Sequence, residues 1–208
     1  MSIDEKARQV ENVFYLLDED VERFKQGTGL QCREKCSKCC TYPDIEGTIL
    51  EFIPLARALY KAGQAQEWLQ ELGQLGEERG CMLLSLQGAN GGWGLCRKYE
   101  YRGLVCRLFG FSAVLDKHGQ PSLATCAVVK QTKPGYREVV EMYRSAGGDI
   151  PVMSHYYYRL YAIDIYLSNQ RYRVNEAIKR ALETVTAYYA YRRPQSSGYP
   201  SNAGPDVH

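Results

Sequence analysis

Eight cysteines in a chain of 208 residues are the feature that most constrains this protein. They are Cys32, Cys36, Cys39, Cys40, Cys81, Cys96, Cys106 and Cys126, and the first four fall within nine consecutive residues. A chain of this length buries enough apolar surface to fold without crosslinks. The first residues lack the apolar core of a secretion signal, and disulfides are rare in a reducing cytoplasm. We therefore expect a cytoplasmic protein whose cysteines ligate metal or carry out redox chemistry.

The chemistry of the cysteines narrows the choice of metal. Thiolate is a soft ligand that suits zinc and iron-sulfur clusters and disfavours calcium and magnesium. On a continuous helix, Cys32 and Cys40 would stand about 12 Å apart along the axis, too far to share one tetrahedral zinc. Either the segment is not wholly helical, or its thiolates serve a larger or second centre. All eight cysteines are candidate ligands of an iron-sulfur cluster or of zinc.

Basic side chains accompany the cysteines along the sequence. Cations lower the pKa of nearby thiols and offset the negative charge of a thiolate-rich site. Arg107 directly follows Cys106 and precedes Leu108 and Phe109. We expect most of these cations to be solvated surface charges, and we single out Arg107 as a cofactor-binding residue.

Several short motifs together resemble one known family. The motifs are the cysteines from Cys32 to Cys40 and the stretches at residues 80–84, 94–99 and 99–109. As a group they are similar to the CxxCxxCC cysteine-cluster family, which is described as zinc- or iron-chelating. Two features depart from its pattern: three residues separate Cys32 from Cys36, and Gly103 stands where the family usually has proline. The resemblance implies chelation by the cysteines, without specifying an activity.

Hydrophobic periodicity predicts a mainly α fold, with helices around an irregular cysteine-rich metal-binding core. A Thr48 to Glu51 capping box opens one helix, although Pro54 places its start nearer to that proline. Two β-prone stretches, 111–115 and 122–129, predict one small β-hairpin as the only sheet. The predicted helices span residues 3–26, 48–60, 64–79, 136–146, 151–169 or 154–169, and 174–192.

Length predicts a single globular domain over residues 1–193, with a flexible tail at 194–208. Within that domain, residues 32–126 form the cysteine-cluster region and residues 134–193 a helical C-terminal part. The 26 basic and 24 acidic residues give a net charge of only +2, which argues against a nucleic-acid partner. No apolar run approaches the roughly 18 residues of a membrane span. The expected partners are a metal ion or cluster, and a protein bound through the C-terminal helices.

Three functions remain open at this point. The first is a metal-binding module with a structural or redox role, for which the three-residue and two-residue gaps favour an iron-sulfur cluster. The second is a metal-cluster-dependent enzyme of methyl or electron transfer, for which the sequence offers no clear acid or base. The third is a metal-free thiol switch.

Overall fold

Helices make up most of the structure, a computed structural model that describes residues 1–32, 36–76, 79–87 and 93–192. The predicted mainly α architecture is confirmed. Single 3-10 turns lie at Lys38–Thr41, Leu50–Phe52 and Tyr99–Tyr101. The helices are α1 (Ile3–Thr28), α2 (Ile53–Lys61), α3 (Ala65–Gln74), α4 (Leu104–Leu108), α5 (Ala127–Thr132), α6 (Tyr136–Ser145), α7 (Met153–Ile163), α8 (Ile165–Ser168) and α9 (Val174–Arg192).

Short strands pair two by two, and every pair is antiparallel. They are β1 (Glu46–Thr48), β2 (Leu84–Gln87), β3 (Trp93–Cys96), β4 (Ser112–Leu115), β5 (Pro121–Ala124) and β6 (Arg171–Arg173). Strands β4 and β5 form the predicted hairpin, with Ala113 opposite Leu123. The prediction that this hairpin is the only sheet is wrong, because β2 pairs with β3 and β1 pairs with β6. The β1–β6 pair joins distant parts of the chain, which no local pattern reveals.

The long helix α1 has clear start and stop signals. Ser2 precedes it and accepts a hydrogen bond from the Glu5 amide at 3.1 Å. Gly29 ends it with φ 62°, a left-handed conformation that glycine adopts without strain, and donates to the Lys25 carbonyl. The predicted first helix is therefore confirmed, with its end two residues later.

A core of fully buried apolar side chains lies between the helices. Helix α9 packs against α2 and α3, and α1 packs against α2 and α7. Each large apolar side chain buried there contributes about 1.5–3 kcal/mol relative to exposure. The side chains with 0% exposure include Leu17, Phe24, Leu55, Ile178 and Leu182. We call α1, α2, α7 and α9 the helical scaffold.

Polar contacts tie three scaffold helices at one point. The Asp4 carboxylate of α1 accepts hydrogen bonds from Arg57 of α2 at 2.7 Å and from the Tyr189 hydroxyl of α9 at 2.8 Å. The hydrogen bond from Arg57, named first among the causes, lowers the pKa of Asp4 to about 2. Asp4 is therefore ionised at neutral pH and fixes the relative positions of these helices.

Two predicted helices are shorter than their periodicity indicates. The pattern over residues 151–169 breaks at Asp164, which is extended and whose carboxylate caps α8 by accepting from the Tyr166 and Leu167 amides. Helix α3 ends at Gln74, and glycine at 73 and 76 weakens helix propensity on both sides of that end. Pro54 lies in the first turn of α2, where its missing N–H costs nothing.

No helix in the described part of the chain is both long and apolar enough to cross a membrane. The predicted tail at 194–208 lies outside the described residues. The division into one domain with that tail stays a prediction.

Candidate metal centre

The cysteines lie on short, irregular segments at one side of the scaffold, and all eight are free thiols. Cys32 and Cys36 have no regular secondary structure, which excludes a continuous helix through the first four cysteines. Cys39 and Cys40 share the 3-10 turn, and Cys81 precedes β2. Cys96 ends β3, Cys106 lies in α4, and Cys126 is the N-cap of α5. We call residues 36–41, 79–87 and 93–108 the cysteine segments.

A close backbone contact brings Cys40 and Cys81 together. The Cys81 amide donates to the Cys40 carbonyl at 2.9 Å. A Cβ atom at Gly80 would stand 2.6 Å from the same carbonyl oxygen, so only glycine permits this approach. Gly80 therefore determines how closely the second cysteine segment can pack against the first.

The β2–β3 hairpin packs against the first cysteine segment in a similar way. A Cβ atom at Gly94 would stand 3.0 Å from the hydroxyl of Ser37 and 2.6 Å from Leu84. This contact places Cys96, two residues further along β3, near the other thiols. Glycine at two positions thus allows the three cysteine segments to converge.

A cavity of about 350 Å³ opens between the thiols. Cys39, Cys40, Cys81 and Cys106 line it, and we call it the thiol cavity. Its remaining lining includes both apolar side chains and charged or polar ones. The apolar side chains are Tyr42, Pro43, Ile45, Val105, Phe109 and Val174, and the polar ones include Asp44, Glu46, Arg79, Arg171 and Asn175.

Cys39 and Cys40 form the tightest pair of thiols. Their sulfurs are 3.9 Å apart. Four thiolates about 2.3 Å from one tetrahedral ion stand about 3.8 Å from each other, so this pair has ligand spacing. The hydrogen bond from Cys40 lowers the pKa of Cys39 to about 6, and the same hydrogen bond raises the pKa of Cys40. Cys39 is therefore the thiol most ready to act as a ligand at neutral pH.

Burial keeps the other cavity thiols protonated. It raises the pKa of Cys81 to about 11, and it raises that of Cys106 to about 12 with help from the neighbouring Cys81 and Glu51. Burial also raises the pKa of Cys96, which has Cys39 as a neighbour. Ligation by these thiols must release their protons.

A second set of thiols adjoins the first. Burial raises the pKa of Cys32 to about 11, and the thiols of Cys36, Cys126 and Cys39 raise it further. The Cys126 sulfur also accepts a hydrogen bond from the Val129 amide at 3.4 Å, which caps α5. The fold therefore brings all eight predicted cysteines into one connected neighbourhood, with Cys39 adjoining both sets.

Two features of the cysteines suit a metal centre: their sulfur atoms are soft ligands, and they lie close together. Among the described residues, no three cysteine, histidine, aspartate or glutamate side chains are placed to hold one metal ion as they stand. Eight soft donors nevertheless adjoin one another, four of them line one cavity, and one pair has ligand spacing. The donor set thus fits zinc or an iron-sulfur cluster by its chemistry.

Arg107 lies behind the thiols rather than among the residues that line the cavity. Its guanidinium donates to the carbonyls of Arg102 and Glu100, at 3.0 and 2.6 Å, and pairs with Asp18 of α1. It also lies over the Phe14 ring, 4.5 Å from the centroid. These contacts fasten α4 to α1. The cofactor-binding role of Arg107 stays a prediction.

Arg102 acts on three of the thiols, and Arg97 acts on Cys96 as well. The positive charge of Arg102 lowers the pKa of Cys39, Cys96 and Cys106, against the larger effect of burial on the last two. Its guanidinium lies over the Tyr99 ring at 3.6 Å. Arg107, the residue adjacent to Cys106 in sequence, instead pairs with Asp18 of α1.

Sequence analysis missed one further function of Glu51. The predicted capping box is confirmed, since Glu51 accepts from the Thr48 amide at 2.8 Å and Thr48 accepts from the Glu51 amide at 3.4 Å. The other carboxylate oxygen accepts from the Val105 amide at 3.2 Å. Glu51 is fully buried, and burial raises its pKa. It thereby holds the start of α4 one residue before Cys106.

Comparison with known proteins supplies a family for this site. Residues 31–131 match the model of the CxxCxxCC family, whose description reads "Putative zinc- or iron-chelating domain". The search of curated proteins found no match. The search of solved structures found none either. The match includes every one of the eight cysteines. Residues 31–131 of this chain are therefore similar to the CxxCxxCC family.

Proposed function

We propose that this protein binds an iron-sulfur cluster, in preference to zinc, through its clustered cysteines. The observation that carries the proposal is that Cys39, Cys40, Cys81 and Cys106 line one cavity although they come from three separate segments. The family description supports metal chelation in general. The nearest additional ligands are Cys96 beside Cys39, and the set of Cys32, Cys36 and Cys126.

The arrangement of the thiols favours a cluster over a single ion. In a cluster the thiolates are divided among two or more irons, so the ligands lie around the whole cluster and do not all converge on one ion. Four thiols from three segments line a space of about 350 Å³, which leaves room for a body larger than one ion. A closed four-thiolate zinc site would instead require them to converge on one ion and would be structural.

The protein's own residues would supply three things to a bound centre. The cysteines supply thiolates, Arg102 supplies positive charge beside three of them, and the apolar side chains of the lining limit contact with water. Hydrogen bonds, burial and charge around the sulfurs set the reduction potential of such centres. When bound, the cluster would supply one-electron chemistry, and these residues would tune it.

Metal and acid-labile sulfide analysis of anaerobically purified protein, with an absorption spectrum of the same sample, tests this proposal. We expect iron with equivalent sulfide and a broad visible band. If the protein contains zinc and no sulfide, the site is a structural zinc site and the proposed cluster is wrong. Protein that contains and takes up neither metal would contradict metal binding and leave the thiol switch, for which the Cys39 and Cys40 pair is the nearest candidate.

The thiol cavity favours a second candidate, a cluster-dependent enzyme of methyl or electron transfer. A cavity of about 350 Å³ is within the range of small-molecule sites. If a substrate reaches the centre through this cavity, Phe109→Trp should narrow the cavity and slow removal of bound metal by a small chelator. Removal at the wild-type rate would count against access by this route. The cytoplasmic location and a protein partner at the C-terminal helices stay predictions.

A further inference from the structure

Residues of β4, α7 and β6 line a second cavity, of about 370 Å³. Its lining includes three tyrosines of α7, Tyr157, Tyr158 and Tyr161, and Arg171 of β6. We call it the tyrosine cavity. Of these four residues, only Arg171 also lines the thiol cavity. The volume is within the range of small-molecule sites, so the cavity has room for a ligand of its own.

Apolar surface at this cavity is exposed to solvent. Val114 and Leu115 of β4 line the cavity and are exposed, and Tyr158 is 65% exposed. The rings of Tyr158 and Tyr161 are inclined to each other by 50°, with their centroids 6.3 Å apart. Exposed apolar surface that lines a concave site is typical of ligand binding. The tyrosine rings favour a flat, aromatic group as the apolar part of that ligand.

The charge at the cavity comes from Arg171. Its guanidinium lies over the Tyr157 ring, 4.2 Å from the centroid. Among the described residues, Arg171 forms no ion pair, whereas Arg173 on the same strand pairs with Asp44. The described lining also contains no acidic side chain. A guanidinium stacked on a ring keeps the N–H groups at its edge available for a carboxylate, which it binds through two parallel hydrogen bonds.

Two further features of the cavity lining point to a polar ligand. The Tyr157 hydroxyl is buried and has no hydrogen-bond partner in the described part of the chain, and the residue is only 4% exposed. No side chain caps the start of α7, where Met153 and Ser154 line the cavity. A helix start favours a negative charge, and buried polar groups normally have partners. Together with Arg171, these features indicate an anionic hydrogen-bond acceptor that the described residues do not supply.

We propose that the tyrosine cavity binds a small aromatic carboxylate. The carboxylate pairs with Arg171, and the aromatic ring lies against Tyr158 and Tyr161. Because the described lining contains one cation, a ligand with one negative charge fits better than a phosphate ester with two. The site requires no metal, so it holds or fails independently of the proposed metal centre.

Ligand-observed NMR titration of the full-length protein tests the proposal, with benzoate and phenylacetate as probes and benzamide as the uncharged counterpart of benzoate. We expect both carboxylates to bind at millimolar concentrations or below. Benzamide should bind about tenfold more weakly than benzoate, because it cannot form the charge-assisted pair with Arg171. Equal binding of benzamide and benzoate would overturn the proposal, and so would the absence of binding by both carboxylates at millimolar concentrations.

Arg171→Gln should weaken benzoate binding by about tenfold, because the cation that pairs with the carboxylate is removed. Arg173→Gln is the matched control, since Arg173 lies on the same strand but outside the cavity lining. We expect wild-type benzoate affinity in this control variant. Equal weakening in both variants would indicate a general disturbance of β6 and would overturn the proposal.

Tyr158→Ala distinguishes between the two cavities that Arg171 lines. Tyr158 lines the tyrosine cavity and not the thiol cavity, and its exposure allows truncation with little loss of stability. We expect severalfold weaker benzoate binding, because an aromatic contact is lost, and an unchanged circular dichroism spectrum. If Arg171→Gln weakened binding and Tyr158→Ala left it unchanged, the carboxylate would lie in the thiol cavity and the proposal would be wrong.

Discussion

The helical scaffold and the cysteine segments differ in what holds them in place. In the scaffold, side chains such as Phe24 and Leu182 are completely buried, and long helices satisfy their own backbone groups. The cysteine segments consist of strands of four residues and single helical turns, and their thiols are only partly buried. Apolar burial therefore stabilises the scaffold directly, whereas the cysteine segments depend on glycine contacts and on what their thiols bind.

The largest expected effect is that of Cys106→Ser on the cysteine segments. Free energy of binding to a metal is also free energy of folding for the segments that supply the ligands. We expect the variant to lose the metal and the protease resistance of residues 79–108, while far-ultraviolet circular dichroism retains most of the helical signal. Metal content and limited proteolysis measure the two effects. Wild-type metal content in a folded variant would show that Cys106 is not a ligand.

Leu182→Ala should have the complementary effect on the scaffold. Removal of a fully buried leucine leaves a cavity in α9 and lowers the free energy of unfolding by about 2–5 kcal/mol. Folded molecules should still bind metal with wild-type stoichiometry, since Leu182 lies outside the thiol cavity. Urea denaturation and metal analysis test this. A stable variant that lost its metal would contradict the division into two regions.

Separate substitutions of Arg102 and Arg107 test the difference between the scaffold and the cysteine segments further. Arg107→Gln should cost about 2–3 kcal/mol of stability, because it removes hydrogen bonds of a buried cation that join α4 to α1. Arg102→Gln should cost little stability and should weaken metal binding severalfold, because positive charge near three thiolates is lost. Unfolding and Co²⁺ titration of both variants provide the comparison. The reverse pattern would make Arg107 the cofactor-binding residue.

As the pH falls, the cysteine segments should lose their metal before the helical scaffold loses stability. The pKa values of about 11 for Cys81 and about 12 for Cys106 mean that ligation displaces protons, so metal affinity should fall by roughly tenfold per proton for each pH unit. The lowered pKa of Asp4, about 2 against 3.8, gives the scaffold stability that is present above pH 3.8 and is lost as pH falls towards 2. Metal release should therefore precede loss of helical signal in an acid titration. Simultaneous loss would indicate that the scaffold also depends on the metal.

Sequence patterns predicted the features that depend on residues close together in the chain. The spacing of apolar residues and the Ser2 and Gly29 signals predict α1, and Thr48 to Glu51 predicts a capping box that the structure contains. The soft thiol ligands of the cysteines and their clustering in the sequence also predict a metal centre. These features need only residues within a few positions of each other.

Contacts between distant segments could not be predicted from such local patterns. The pairing of β1 with β6 and the second hydrogen bond of Glu51, to the Val105 amide, depend on tertiary packing. The effect of Arg102 on the thiols shows the same limit, because adjacency in sequence does not decide which way a side chain points.

X-ray absorption at the metal edge of the purified protein tests the central claim most directly, because it reports the atoms bound to the metal. The account predicts a first shell of sulfur alone at about 2.3 Å, with iron neighbours beyond it if a cluster is present. A first shell dominated by nitrogen or oxygen would contradict it, since the proposed ligands are all cysteine thiolates.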